Sequence, residues 1–189
     1  MKKNQSKVLA SLVAMLFVLV PAQGVLAGGD KGDTAFTAWA IVFNNAAACV
    51  DGCGEDDVPR PGVAAAVIFL TGQRVQSNGR AIFAGAITAN SRHRQIGGPS
   101  PAGILYPDTA EIHVGLLPHP KGSLSGDAAS RHGEVTRPCM CDFAQAAIFL
   151  PGAATGSVVD PATGEPVDGA AATIDRIVTG VTISVDTRL

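Results

Sequence analysis

Beyond residue 27, no stretch of this chain keeps a helical period for more than about ten residues before a glycine or proline interrupts it. Helices need several unbroken turns with an apolar face to be stable, so the chain is left with strands and turns. The apolar segments are short and rich in Val, Ile, Phe and Ala, and Gly, Pro, Asn or Asp bound each of them. Strands are expected at Ala35–Phe43, Val63–Thr71, Arg80–Thr88, Ala110–Leu117, Phe143–Leu150 and Ala172–Asp186. In the last segment the alternation Ile174, Arg176, Val178 changes phase at Gly180 before Val181, Ile183 and Val185, which predicts a bulge or a tight turn there. Asn78-Gly79 predicts a hairpin turn between a strand ending near Val75 and Arg80–Thr88. The fold class that follows is all-β, an antiparallel β-sandwich or Greek-key barrel stapled by disulfides.

The first residues set the compartment. Lys2, Lys3 and Lys7 precede the apolar run Val8–Val20, Pro21 breaks it, and Val25-Leu26-Ala27 offers a cleavage site. That order is the order of a secretory signal, and the run is shorter than the roughly 20 residues a spanning helix needs. The expectation is a signal peptide over residues 1–27, a flexible lead-in at 28–34, and a single β-domain completing 28–189. Removing three lysines and no acid takes the formal charge from −2 to about −5. A mildly acidic chain without basic runs is a poor partner for nucleic acid or, once the signal is removed, for a membrane. Localisation is expected to be secreted or periplasmic.

Four cysteines stand in two close pairs, Cys49/Cys53 and Cys139/Cys141. An even number in an exported chain reads as disulfides. Residues two apart on a strand point in parallel, so closing Cys139 on Cys141 makes a tight ring. Bridges joining one pair to the other are therefore expected, the first closing a loop of roughly 90 residues worth about 4–5 kcal/mol in the chain-entropy model.

AAAVIFLTG at Ala64–Gly72 is similar to AQAAIFLPG at Ala144–Gly152, a hint of internal duplication. Two long connections, Ala89–Thr109 and Pro118–Pro138, are where a site is expected, because loops of that length need a functional or ordering reason. Glu55-Asp56-Asp57 lacks the spaced pattern of a calcium loop and is expected to be a solvated turn.

Glu111 and His113 share the polar face of a strand whose other face carries Ile112, Val114 and Leu116. Such a pair is a candidate acid/base or ligand arrangement, and more often only a surface pair. His113, His119 and His132, near Cys139 and Cys141, concentrate imidazole and sulfur donors that suit Cu or Zn. In an oxidising compartment disulfides are favoured over a thiolate metal site. No nucleophile motif survives inspection. Prolines flank Ser100 in Gly98-Pro99-Ser100-Pro101-Ala102, and Gly152–Ser157 lacks the lysine of a phosphate loop.

Val42-Phe43-Asn44-Asn45-Ala46-Ala47-Ala48-Cys49 with Cys53-Gly54-Glu55-Asp56-Asp57, Asn78–Gly85 and Ala110–His113 resembles segments of uncharacterised secreted bacterial proteins. The general layout is similar to the CHRD (chordin-type) domain, a secreted β-domain. The paired histidines and closing strand of that family are missing, and neither resemblance implies an activity or a residue role.

The functional expectation is an exported, non-catalytic module that binds an unknown protein or surface ligand, or has a structural role, and needs no cofactor. The alternatives are a Cu- or Zn-binding protein and a hydrolase whose site assembles from distant residues, Glu111 and His113 among them.

Overall fold

The computed structural model describes residues 35–75, 78–89, 103–119 and 143–189. Within them lie eight strands: β1 Ala35–Phe43, β2 Ala65–Arg74, β3 Arg80–Thr88, β4 Glu111–His119, β5 Gln145–Phe149, β6 Thr155–Val159, β7 Ala171–Ile177 and β8 Gly180–Arg188. They form one sheet in the order β2-β1-β4-β5-β6-β7-β8-β3, every pair antiparallel. The sheet curls until its edge strands β2 and β3 touch. Gln73 Nε2 donates to the Ile82 carbonyl across that seam at 2.6 Å. Leu70 packs against Gly85, where an added Cβ would stand 3.1 Å from the Leu70 Cβ. The result is a nearly closed antiparallel barrel, the barrel form of the expected fold class.

Around the ring, β4, β1, β2 and β3 stand in Greek-key order, and β4 to β8 form a meander. The β3–β4 connection is long because it must pass β2 and β1 to reach its place. Its described end, residues 103–110, carries Ile104, fully buried in the barrel's core cluster.

Period-2 alternation fills the interior. Phe36, Ala38, Ala40 and Val42 of β1 point inward with Phe83 and Ile87 of β3. Ile112, Val114 and Leu116 of β4, Phe149 of β5 and Val181, Ile183 and Val185 of β8 meet them there. At one end Thr187 Oγ1 donates to Gln145 Oε1 at 2.5 Å, and Gln145 Nε2 donates to the Arg188 carbonyl at 2.7 Å. The two buried polar side chains thus satisfy each other inside the fold.

β1 is buried on both faces. Its outward residues Trp39, Ile41 and Phe43 form a second cluster with Val63, Ala65, Leu117 and Phe143. Ala48, Cys49, Cys53 and Val58, from the segment between β1 and β2, pack against that cluster. That segment contains two short 3-10 turns, Ala46–Ala48 and Glu55–Asp57. It is stapled by Cys49–Cys53, so the expectation of bridges between the two cysteine pairs is corrected. The chain turns back on itself here, bringing the two sulfurs together over a separation of four residues. Cys139 and Cys141 lie outside the described residues.

Three other readings change. The chain turns at Asn78-Gly79, with Gly79 at φ 75° and Asn78 Oδ1 accepting from the Arg80 amide at 2.8 Å. Yet β2 and β3 are not laddered to each other; they pair with β1 and β8, and the turn becomes the mouth of the seam. At Gly180 the expected phase change is a tight turn rather than a bulge, so the last segment is two paired strands, β7 and β8, instead of one. The apparent repeat is not structural. Ile68 of β2 is buried in the barrel, whereas its counterpart Ile148 lies on the outer face, paired with His113.

Candidate functional site

The outer face of β4 was expected to meet solvent. Glu111, His113, Gly115, Leu117 and His119 do share one face, but all five are buried. The β1 residues opposite them are Phe43, Ile41, Trp39, Thr37 and Ala35, all of them buried too. Glu111 Oε1 and His113 Nε2 are 2.7 Å apart. The His113 ring meets Phe43 edge-on, with centroids 5.0 Å apart. His113 Nδ1 is buried and has no hydrogen-bond partner among the described residues. At 4% exposure the imidazole has little access to a substrate, and a general base must stand within about 3 Å of the proton it takes. In this arrangement the pair acts as a contact within the outer cluster.

His113 and His119 do not come together as ligands of one ion. They are six residues apart on one straight strand, a separation of roughly 20 Å at about 3.3 Å per residue. One ion cannot bridge that gap. His119 Nε2 instead stands 2.9 Å from Thr37 Oγ1, which also accepts from Trp39 Nε1 at 3.1 Å. His93 and His132 lie outside the described residues, and among the described residues no group of three His, Cys, Asp or Glu is placed to hold a metal ion.

The acidic run is only partly a solvated turn. Glu55 and Asp56 are exposed, but Asp57 is buried. Its carboxylate accepts from the Gly54 amide at 3.0 Å and pairs with Arg60 Nε at 3.2 Å, closing the excursion beside the disulfide. All of its oxygen lone pairs in use serve the chain itself.

Two fasteners went unread in the sequence. Asn44, at the end of β1, donates to the carbonyls of Ala64 and Gly103 at 2.8 and 3.2 Å and accepts from the Leu105 amide at 2.6 Å. It ties the long β3–β4 connection to the barrel rim. Arg176, on β7, does the same with charge. Its guanidinium donates to the carbonyls of Ala153, Leu150, Ala110 and Pro107. Burial lowers its pKa from the ordinary arginine value, and Asp108 raises it in partial compensation. Tyr106, Leu150, Ile177 and Val178, all exposed, stand on the segments around it.

At the opposite end of the barrel the seam opens into a cleft of about 460 Å³, lined by Gln73, Arg74, Asn78, Arg80, Ala81 and Ile82. Three of the five arginines among the described residues, Arg74, Arg80 and Arg188, stand at this end of the barrel. Arg80 and Arg188 are cross-strand partners. Arg80 Nε and Nη2 reach Asp186 Oδ1 and Oδ2 at 3.0 and 2.5 Å, a two-point contact. That hydrogen bond raises the Arg80 pKa and lowers that of Asp186. Only part of the signal for the cleft was in the sequence: an Asn-Gly turn flanked by arginines at 74 and 80 puts two guanidinium groups on neighbouring strand ends.

No protein-family model, curated protein or solved structure matches this chain.

Proposed function

We propose that this chain is an exported, non-catalytic binding module, a filled β-barrel that recognises its ligand at the outer cleft along the β2–β3 seam. The carrying observation is the contrast between the barrel's interior and its seam. Aliphatic and aromatic side chains fill the interior, with Phe83, Phe149, Ile68, Ile104, Ile112, Leu116 and Ile183 buried to less than 2% exposure. A barrel packed in this way is a scaffold rather than a container. The seam, by contrast, presents amide and guanidinium donors around a cleft within the size range of small-molecule sites. Export is supported by the signal-like order of residues 1–27 and by the Cys49–Cys53 bridge. The likeness of the layout to the chordin-type domain, itself a secreted β-domain, is in keeping with this reading.

The test is a thermal-shift screen of the secreted protein against organic acids, peptides, sugars and divalent metals, with product analysis on every hit. Ile82 is exposed on the cleft wall, so Ile82→Trp fills the cleft without touching the core. Hits that stabilise the wild type, leave Ile82→Trp unchanged and are recovered chemically intact are the expected result. Turnover of a hit, or equal stabilisation of both proteins, contradicts the proposal.

A further inference from the structure

We infer that the seam cleft takes an extended peptide segment, which adds as a short strand to the edge of β3 and displaces the Gln73 side chain from it. The inference deepens the reading of this cleft as the recognition site and rests on it. The first observation is the direction of the β3 main chain. Successive residues of a strand turn their N–H and C=O groups to opposite sides, and both groups of one residue turn to the same side. The Ile82 carbonyl accepts from Gln73 Nε2 across the seam. Ile82 and Ala84 therefore turn their main chain to the seam, and Ala81, Phe83 and Gly85 turn theirs to β8. The ends of the strand agree. The Gly79 carbonyl and the Ala89 amide, of the same parity as Ala81, bond to Leu189 and Thr179 on the β8 side. Among the described residues β3 is laddered to β8 and to no second strand, and such an edge is a template for another chain.

The second is Gln73. Its side-chain amide repeats the chemistry of a peptide group, and it donates to the Ile82 carbonyl at 2.6 Å, where the N–H of a neighbouring strand would donate. At the mouth of the seam a second side-chain amide, Asn78 Oδ1, accepts from the Arg80 amide. The β3 edge is thus met by stand-ins for a strand. Gln73 is only half-buried, so its side chain is free to swing away when a real main chain arrives.

The third is room. The cleft lies between Gln73 and Arg74 on one wall and Arg80, Ala81 and Ile82 on the other. Further along, Leu70 packs against Gly85 and closes the seam. An entering strand runs from the mouth to Ala84, about four residues at roughly 3.3 Å each. The seam-side groups of Ile82 and Ala84 repeat every two residues, roughly 7 Å, the repeat of another extended main chain, and edge addition of peptides uses that match. Ile82 is 54% exposed and Ala84 is exposed on the same outward face, so the entering strand is expected to set an apolar or β-branched side chain beside Ile82. The β3 strand of a second barrel does not fit there, because its own β2 stands beside it, Leu70 against Gly85.

The experiment is isothermal calorimetry of the secreted protein with the uncharged pentapeptides acetyl-Xaa-Thr-Xaa-Thr-Xaa-amide, Xaa being Val, Ile or Phe. Expected is saturable binding of at least one, unchanged between 50 and 500 mM salt because no ligand charge is engaged. N-methylation of the tightest binder, one residue at a time, then reads the main chain without altering the protein. Methyl groups on alternate residues are expected to weaken binding about tenfold or more, and those between them to leave it within about twofold, as the period of a strand requires. Ala84→Pro removes a seam-side N–H from outside the β8 ladder, on an edge where proline is tolerated, and weakens binding. Gln73→Ala removes the stand-in and tightens binding about threefold or more. No binding by any pentapeptide, N-methylation without alternation, or a Gln73→Ala variant that binds no tighter overturns the inference. A dimer of the free protein that Ala84→Pro dissolves assigns the edge to a second copy and overturns it as well. If the pentapeptides fail while Ile82→Trp still abolishes the binding of some other compound, the cleft remains the site and only the ligand class is wrong. If Ile82→Trp changes no binding at all, the proposed function fails with it.

Discussion

The ring of Phe143 lies against the backbone of Gly115, so close that a Cβ on Gly115 would fall well inside van der Waals contact with it. Trp39 is the cross-strand partner of Gly115 on the same outer face. The Phe143 ring therefore takes the space of the missing side chain, beside Trp39, and the outer cluster depends on that vacancy. Gly115→Ala is expected to destabilise the protein by about 1–3 kcal/mol through overpacking. Urea unfolding followed by Trp39 fluorescence checks this, with a lowered midpoint and an unchanged slope as the expected outcome.

Arg176 holds four carbonyls from two separate loops. Replacing it with Met keeps much of the side-chain volume and removes every donor. The expected cost is about 2–3 kcal/mol, the range for charged hydrogen bonds and for carbonyls left without partners. Hydrogen exchange is expected to quicken first in residues 105–110 and 150–154, which lose their common anchor. Uniform quickening across all strands would mean that Arg176 has no local role.

The Cys49–Cys53 bridge closes only a short loop. In the chain-entropy model such a loop contributes about 2 kcal/mol, well below a bridge spanning most of the chain. Replacing both cysteines by Ala is expected to cost about that much while the barrel still folds. Tryptic mapping without reduction gives a direct check: both cysteines are expected within one peptide ending at Arg74, because Pro61 blocks cleavage after Arg60. A cross-linked pair of peptides containing Cys49 or Cys53 with Cys139 or Cys141 would contradict the pairing.

Asp186 gives a pH prediction. Its folded pKa is lowered, first by the hydrogen bond from Arg80. A depressed carboxylate pKa contributes stability that is present above the unfolded value of about 4 and is lost as pH falls through the folded value. Asp186→Asn should therefore lower the melting temperature slightly at pH 7, and the difference from wild type should shrink as the pH is taken below about 4 and through the lowered folded value. Both groups are solvent-exposed, so the effect should also shrink in 0.5 M salt.

Much of the barrel was legible because its strands obey simple alternation between turn residues. Ala35–Phe43 and Arg80–Thr88 are strands over the expected residues. β6 was not legible. Thr155–Val159 is five residues long and carries Gly156, which in isolation reads as loop. Gly156 is there because a Cβ would stand 2.8 Å from both the Ile148 carbonyl and the Phe149 ring, so the close approach of β5 and the packing of Phe149 demand glycine. That demand comes from a neighbouring strand and leaves no local mark. The burial of Glu111 and His113 was hidden for a related reason. Alternation tells which residues share a face, and it cannot tell that a segment from between β1 and β2 builds a second layer outside the barrel. The seam cleft required knowing that β2 and β3, although joined by a short connection, pair with other strands.

The central claim is that recognition takes place at the seam cleft along β2 and β3. It is tested most directly by an amide and arginine Nε–H NMR titration of the secreted protein with the strongest hit of the thermal-shift screen. The account predicts saturating shifts confined to Gln73, Arg74, Asn78, Arg80, Ile82 and their β8 neighbours Asp186 and Arg188. Shifts centred on the other barrel end, around Tyr106, Leu150 and Val178, or no saturating shifts at all, would contradict it.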